Sequence, residues 1–238
     1  MIRRKDLYTA LSDSAFRFPD KIALVEAGTE KKVSYHELLM QVDRAADMFF
    51  EHGIRKGDRV AVAHRNAIDT VVANFGLYKL GAVCIPMNFM VTKPEEIEYI
   101  LNNAGVKAVV TQAEFIRHYV KCLPNLPAVQ YIFSTDEIPA SVAAEPKIQL
   151  FWQEIEKSTV HEETSSACAT LDDLAFILYT SGTTGLPKGA MLTHGNLASN
   201  VISCAQIFKI TDDDCFLCLL PMFHSFAWTT CVVIPMHL

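Results

Sequence analysis

The stretch from Tyr179 to Gly189 has the densest set of chemically capable side chains in this 238-residue chain. Four aliphatic hydroxyls, three glycines and one lysine fall within its eleven residues. Gly182, Gly185 and Gly189 place no Cβ in the way, so backbone N–H groups can approach an anion closely. The hydroxyls add further donors, and Lys188 adds a positive charge. The composition of this loop therefore predicts a phosphate-binding site.

Other interpretations of the loop are weaker. A Walker A loop ends in Gly-Lys-Ser/Thr, whereas here Pro187 precedes Lys188 and Gly189 follows it. A flexible surface linker needs neither the apolar strand before the loop nor the Pro-Lys-Gly sequence after it. The chain has no Gly-x-Ser-x-Gly sequence that would make Ser181 a hydrolase nucleophile, and no GxGxxG after a strand to bind a nicotinamide cofactor.

The composition of the chain limits how such a site can work. With 21 basic and 27 acidic side chains the formal net charge is −6, and 50% of the residues are hydrophobic. These values are typical of a globular domain and lack the basic footprint of a nucleic-acid-binding protein. A phosphate must therefore be held by local geometry, since the overall field of the protein opposes it.

The pattern around the loop predicts the elements that position it. Short β-branched runs alternate with longer amphipathic segments, which is typical of βαβ units. Strands are predicted at 22–25, 59–64, 82–85, 106–111, 129–133 and 175–179. Ser34 and Glu37 form a capping box for one helix, and Thr193 caps another that follows the loop. We expect an α/β fold, a layered, largely parallel sheet flanked by helices, with the phosphate loop between a strand and a helix.

The expected apolar face of the helix after the loop consists of Leu197, Val201, Cys204, Ala205 and Phe208. Residues 1–170 are interpreted as a first α/β region with an irregular connection at 134–170. Residues 171–238 contain the loop and the segment that follows it, and the connection at 134–170 is interpreted as an excursion within one domain.

The end of the chain is unusual, because the 24 residues from Cys215 to Leu238 include no Asp, Glu, Lys or Arg. Pro221 and Pro235 interrupt this segment and argue against a transmembrane helix. The Cys215-x-x-Cys218 pair is interpreted as two core cysteines in a strand, with a metal or redox role as the weaker alternative. Seven cysteines, an odd number, and no signal peptide at the N-terminus indicate reduced thiols and a cytoplasmic protein.

The loop Tyr179–Gly189 resembles the signature loop of the AMP-forming adenylating enzymes, the superfamily of acyl-CoA synthetases, peptide-synthetase adenylation domains and luciferases. The residues from Met191 to Asn196 support the resemblance, and Pro221-Met-Phe-His224 is similar to the next motif of the family. Weaker similarities lie upstream in the expected order: Val33-Ser-Tyr-His-Glu-Leu38, Lys56-Gly-Asp-Arg-Val60 and Leu80-Gly-Ala-Val-Cys-Ile-Pro-Met-Asn88.

The resemblance implies that the loop holds the triphosphate of ATP and that its first threonine also approaches Mg²⁺. The implied contacts are Thr180, Ser181, Gly182, Thr183, Thr184, Gly185 and Lys188. Mg²⁺ and the loop would reduce the repulsion between a substrate carboxylate and the α-phosphate, so Lys188 has an implied catalytic role. Coenzyme A is the implied co-substrate, and a homodimer is left open.

By the same resemblance, the motif from Pro221 to Trp228 borders the acyl pocket, so residues 171–238 contain the ATP loop and the start of the acyl-pocket region. His224 would orient the carboxylate as a catalytic and substrate-binding residue, while Phe226 and Trp228 would line the pocket or instead pack in the core. Ala227 stands where the family commonly has glycine, which weakens any detailed substrate assignment. The motif favours a fatty acyl-CoA ligase of long or medium chain length, with an aryl-CoA ligase as the alternative.

Several features of the family normally follow the point where this chain stops. They are the segment ending in Thr-Glu whose glutamate binds magnesium, the ribose-binding aspartate, the hinge, and the small C-terminal domain with its lysine. We therefore expect residues 1–238 to be a partial N-terminal domain that is inactive by itself. The alternative is a nucleotide- or acyl-binding module that never completes catalysis.

Overall fold

The computed structural model describes residues 5–164, 169–180 and 185–237. The helices are α1 (Leu7–Arg17), α2 (Tyr35–Glu51), α3 (Ile68–Leu80), α4 (Pro94–Ala104), α5 (Ala113–Cys122), α6 (Phe151–Lys157), α7 (His194–Phe208), α8 (Ser225–Ala227) and α9 (Ile234–His237). The strands are β1 (Ile22–Val25), β2 (Lys32–Ser34), β3 (Arg59–Ala63), β4 (Val83–Pro86), β5 (Val106–Thr111), β6 (Tyr131–Ser134), β7 (Ile148–Leu150), β8 (Leu174–Thr180) and β9 (Lys188–Thr193). A π-helical turn, Trp228–Val233, joins α8 to α9, and we call residues 225–237 the terminal helical segment.

A seven-stranded sheet in the order β7-β6-β5-β3-β4-β8-β9 forms the centre of the protein. All neighbouring strands are parallel except β9, which pairs antiparallel with β8. The α/β fold with a largely parallel sheet is therefore confirmed. We call the edge where β3, β4, β5, β6 and β8 end the carboxyl edge. Because β8 pairs with β4, residues on both sides of the 134–170 connection share one sheet.

Helices cover both faces of this sheet, as parallel strands require. Successive side chains of β3 point to opposite faces: Val60 and Val62 pack on the side of α1, α2, α3 and α7. Ala61 and Ala63 pack on the side of α4 and α5. Each of these four residues is buried, so β3 contributes to two separate cores.

Helix α3 is enclosed on nearly every side. All of its residues except Asp69 are buried, including Asn74 and Lys79. Lys79 Nζ donates to Asp43 Oδ1 at 2.9 Å, so its charge is paired where it enters the interior. Gly76 lets α3 approach α2 closely, since a Cβ built at Gly76 would lie 3.0 Å from Ala45 Cβ.

Several predicted helix signals have the expected geometry. Ser34 Oγ accepts from Glu37 N–H at 3.2 Å while Glu37 Oε2 accepts from Ser34 N–H at 2.7 Å, which completes the capping box. This hydrogen bonding by Ser34 also lowers the pKa of Glu37. Thr193 caps α7 through an equivalent pair of bonds with Asn196. These interactions join residues three positions apart, so they can be identified from sequence.

Other predictions were wrong. Residues 215–220 pair with no strand within the described part of the chain, and Cys215 is exposed instead of lying in the core. Phe208 is 71% exposed at the end of α7, although it continues the apolar spacing of that helix. The connection at 134–170 contains β7, which pairs parallel with β6.

The phosphate loop also differs from its predicted context, because it lies between two antiparallel strands. Strand β9 follows the loop, and α7 begins only at His194. The N-terminus of α7 is thus separated from the loop by a whole strand, so the positive end of its helix dipole does not lie at the loop.

No described helix is both long and apolar enough to cross a membrane.

Replacing Gly76 with leucine tests the close approach of α2 and α3. We expect a loss of unfolding free energy of about 3 kcal/mol, because the new side chain meets Ala45 and the backbone of Ala46 in a packed interface. Urea unfolding of the chain measures this loss. Met40→Ala, at an exposed position of α2, is the control and should change stability by less than about 0.5 kcal/mol. Equal stability of Gly76→Leu and the parent would contradict the packing.

Three buried histidines, His64, His194 and His237, make stability depend on pH, and burial lowers the pKa of each. Burial lowers the pKa of His194 to about 4, and burial also lowers the pKa of His237 to about 4. His194 Nδ1 accepts from Leu7 N–H at 3.2 Å and so joins α7 to α1 in its neutral form. An unfolded histidine binds its proton near pH 6.5. Stability is therefore complete above pH 6.5 and decreases as the pH falls from 6.5 towards 4.

We expect His194 alone to account for about 1 kcal/mol of stability lost between pH 7.5 and pH 5.5. The measurement is the free energy of unfolding in urea at the two pH values. His194→Asn keeps an acceptor for Leu7 N–H but cannot titrate, so its loss over this range should be smaller by that amount. His64 and His237 maintain part of the dependence in this variant. An unchanged pH dependence in His194→Asn would disprove the assignment.

Candidate functional site

The phosphate loop is the tip of the hairpin formed by β8 and β9. Thr180, the last residue of β8, faces Lys188, the first residue of β9, as a cross-strand pair. Both side chains are exposed. The hairpin therefore brings together a hydroxyl donor and a cation at the base of the tip. Four predicted contacts, Ser181, Gly182, Thr183 and Thr184, lie outside the described residues.

Two tyrosines attach this tip to α4. Tyr179 Oη donates to Asn103 Oδ1 at 2.5 Å, and Tyr99 Oη donates to Pro187 O at 3.1 Å. One bond holds the strand before the tip and the other holds the residue before Lys188. Burial of the Tyr179 ring also raises its pKa, so the phenol stays a hydrogen-bond donor.

The glycine after Lys188 is needed because side chains from β8 cover it. A Cβ built at Gly189 would lie 2.7 Å from Ile177 Cγ2 and 3.2 Å from Tyr179 Cζ. Tyr179 is the cross-strand partner of Gly189, so the ring lies over the space that a side chain would fill. Gly185, with φ at 136°, adopts a backbone conformation that favours glycine.

The segment containing His224 is a turn at the carboxyl edge. His224 N–H donates to Pro221 O at 3.0 Å, and His224 is exposed immediately before α8. Phe223 contacts Phe89, which follows β4, with ring centroids 5.5 Å apart. Phe89 in turn stacks on Phe115 at 5.1 Å. The turn is therefore packed against residues that follow β4 and β5.

The turn and the hairpin tip belong to the same edge of the sheet. β3 and β8 are two positions apart in the strand order, with β4 between them. Two strand spacings correspond to about 10 Å. Ligands of open parallel sheets bind outside the carboxyl ends of the strands, and both predicted binding segments lie there.

The two predicted acyl-pocket aromatics have different environments. Phe226 is 59% exposed, whereas Trp228 is 1% exposed. Trp228 packs against Phe176 at 5.8 Å and Phe75 at 6.2 Å between ring centroids. Its burial favours core packing, the alternative that the sequence left open, while Phe226 is available to a ligand.

The described residues offer few ligands for a metal ion. No group of three or more His, Cys, Asp or Glu side chains that could hold a metal occurs within residues 5–164, 169–180 and 185–237. The Thr180 hydroxyl at the base of the tip is one oxygen donor. This arrangement fits Mg²⁺, which often uses one or two protein ligands and takes the rest from phosphates and water.

Sequence reasoning missed the residues that support the site, namely Asn66, Phe89, Tyr99 and Asn103. Each acts on a segment at least 76 positions away in the chain. The only local signal is their position: just after β3, just after β4, and within α4. Topology, which brings these places together, was needed to identify them.

Comparison with known proteins shows the family to which this chain belongs. Residues 11–238 match the AMP-binding enzyme family. The chain is 32% identical over 233 residues to the long-chain-fatty-acid–CoA ligase FadD13 of Mycobacterium tuberculosis, covering 98% of this chain and 44% of that protein. It is 33% identical over 220 residues to the crotonobetaine/carnitine–CoA ligase of Escherichia coli, covering 89% of this chain and 41% of that protein.

A solved structure agrees with this result. The long-chain-fatty-acid–CoA ligase FadD1 of Archaeoglobus fulgidus superposes with a TM-score of 0.83 at 25% identity, covering 100% of this chain and 46% of that one. The chain thus spans less than half of the length of each of these relatives. It belongs to the AMP-binding enzyme family, and these relatives are acyl-CoA ligases.

Replacing Gly189 with valine tests the geometry of the hairpin. The new side chain would displace Ile177 and the Tyr179 ring, so we expect a loss of about 2 kcal/mol in unfolding free energy. Thermal and urea unfolding measure the change. Ala190→Val, at the next position and exposed, should leave stability unchanged or slightly higher, because valine suits a strand. Equal behaviour of both variants would contradict the role of Gly189.

Proposed function

We propose that this chain takes part in the ATP-dependent activation of a carboxylic acid to its CoA thioester, through an acyl-adenylate. The observation that supports the proposal is the hairpin tip with Thr180 and Lys188 at the same edge of the sheet as the turn that ends in His224. A phosphate donor set and an acid-binding segment at one edge of the sheet fit a reaction between two anions.

The first step forms a mixed anhydride between the carboxylate and the α-phosphate. An oxygen of the substrate carboxylate attacks the α-phosphorus of ATP, and the bond between the α-phosphorus and the β-bridging oxygen breaks. Pyrophosphate leaves with the electron pair. In the second step the CoA sulfur attacks the acyl carbon, and the thiol proton passes to water. The bond between the acyl carbon and the phosphate oxygen breaks, and AMP leaves with the electron pair.

Lys188 has the clearest part in the first step. Its exposed ammonium would bind the β- and γ-phosphates and stabilise the charge that develops on the departing pyrophosphate. The Thr180 hydroxyl would donate to the phosphates or contribute an oxygen to Mg²⁺, which reduces the repulsion between carboxylate and triphosphate. Ser181, Gly182, Thr183 and Thr184 would add donors, and Gly185 would give the tip its conformation.

His224 would bind the carboxylate of the acid. The imidazole is exposed, and among the described residues it has no hydrogen-bond partner that would compete with a ligand. Backbone contacts of the turn, and not the ring itself, determine its position. This arrangement suits a side chain that must meet a carboxylate oxygen.

We infer that the acid is apolar and that a fatty acid fits best, with Phe226 in the acyl pocket. The exposed ring of Phe226 lies two residues from His224. The Phe223 ring packs edge-on against Phe89, which stacks on Phe115. The relatives named above act on a long-chain fatty acid and on crotonobetaine or carnitine. An aryl acid is the alternative substrate of the same chemistry. We place the protein in the cytoplasm on the basis of its reduced thiols.

Exchange of labelled pyrophosphate into ATP tests the proposal. The protein expressed from its complete gene should catalyse this exchange only when a suitable acid is present, because the adenylate forms reversibly. A panel of fatty acids of several lengths, aryl acids, carnitine-like acids and amino acids identifies the substrate. No exchange with any acid in the panel would reject the ligase function and favour a non-catalytic binding module.

Lys188→Ala should lower the acid-dependent exchange rate by about a hundredfold, because a cation at the leaving pyrophosphate is lost. Lys121→Ala is the matched control: Lys121 is also exposed but lies in the last turn of α5, away from the carboxyl edge. Its exchange rate should equal that of the parent. An effect of similar size in both variants would show that Lys188 has no specific role.

A further inference from the structure

The side chain of Asn66, just beyond β3, is bonded entirely to the segment before His224. Asn66 Oδ1 accepts from Met222 N–H at 2.7 Å. Its Nδ2 donates to Leu220 O at 2.8 Å and to Cys218 O at 3.3 Å. These bonds use both amide protons of Asn66 and one acceptor site on its oxygen. Their partners lie more than 150 positions away in the chain.

This segment needs bonds from a side chain because a strand does not supply them. Leu220 and Met222 flank Pro221, which has no N–H and cannot continue a ladder. Residues 215–220 run without a strand partner in the part of the chain that the structure describes. The amide of Asn66 bonds to a carbonyl before Pro221 and to the N–H after it, as a neighbouring strand would.

The contacts of the turn carry this constraint to His224. Met222, whose N–H bonds to Asn66, is 8% exposed, so both its backbone and its side chain are held. His224 lies two residues further, and its own N–H closes the turn on Pro221 O. Trp228 N–H then donates to His224 O at 3.0 Å at the start of the terminal helical segment. Asn66 therefore fixes the backbone at Met222, and the position of His224, two residues later, depends on it.

We propose that Asn66 is a positioning residue for acid binding, through the turn that presents His224 at the carboxyl edge. This inference rests on the proposed function of His224. All hydrogen bonds of the Asn66 side chain within the described residues go to residues 218–222, and the hairpin tip is held separately by Tyr99 and Tyr179. Asn66 should therefore affect the acid and not ATP.

Steady-state pyrophosphate exchange with the protein expressed from its complete gene separates these effects. Asn66→Ala should raise the KM for the acid by about tenfold or more, since misplacement by a fraction of an ångström to one ångström has effects of this size. The KM for ATP should stay within twofold. Asn66→Asp keeps an acceptor for Met222 N–H but turns carboxylate oxygens towards Leu220 O and Cys218 O, so its acid KM should rise at least as much.

Asn102→Ala is the matched control, because it also removes an amide-to-carbonyl bond, from Asn102 Nδ2 to Asn125 O at 3.0 Å. It should leave both KM values unchanged. An acid KM within twofold of the parent in Asn66→Ala would overturn the proposal. Equal increases in the KM values for acid and ATP would also overturn it, because they would indicate a general structural effect.

A second measurement does not depend on catalysis. In spectra of the protein labelled with ¹⁵N, the imidazole signals of His224 should shift and broaden in Asn66→Ala and stay unchanged in Asn102→Ala. Unchanged His224 signals in Asn66→Ala would reject the positioning role even if the protein activates an acid. Absence of exchange with every acid, together with shifted His224 signals, would reject the ligase function while the structural link between Asn66 and His224 stands.

Discussion

The parallel pairing of β4 with β8 is the constraint on which the rest of the site depends. This pairing, in the register of Cys84 with Phe176, joins the hairpin to the sheet. Along the chain, β5, β6 and β7 lie between the two paired strands. Since parallel strands share a direction, β8 reaches its tip at the same edge where β3 and β4 end. Without this pairing, the donors of the tip and the turn with His224 would have no fixed relation.

Interactions between close neighbours in the chain were predictable. The capping pairs Ser34 with Glu37 and Thr193 with Asn196 follow from residues three positions apart. Glycine ends α4 at Gly105, where φ is 62°, because side chains rarely adopt that conformation. The alternation of apolar runs was sufficient to predict the fold class. The unusual composition of the tip was sufficient to select it as a candidate phosphate site, which stays a prediction.

Pairings between residues far apart in the chain were not predictable from the sequence. The sequence of β9 predicts a loop that leads into a helix. Its antiparallel pairing with β8 makes it a strand. Residues 215–220 show the opposite case: their apolar composition suits a strand, but pairing, and not propensity, decides whether a ladder forms. Asn66 is a similar example, because an asparagine after a strand gives no indication that its amide bonds to residues near His224.

The enclosure of α3 has an evolutionary consequence. A helix that contacts solvent on one side can change half of its residues at little cost, but α3 has almost no such side, because every residue except Asp69 is buried. Tyr78 meets Phe176 and Trp228, and Gly76 meets α2, so most single substitutions alter a core contact. Sequence drift in this protein must therefore be concentrated in other helices, and changes in α3 should require compensating changes in its neighbours.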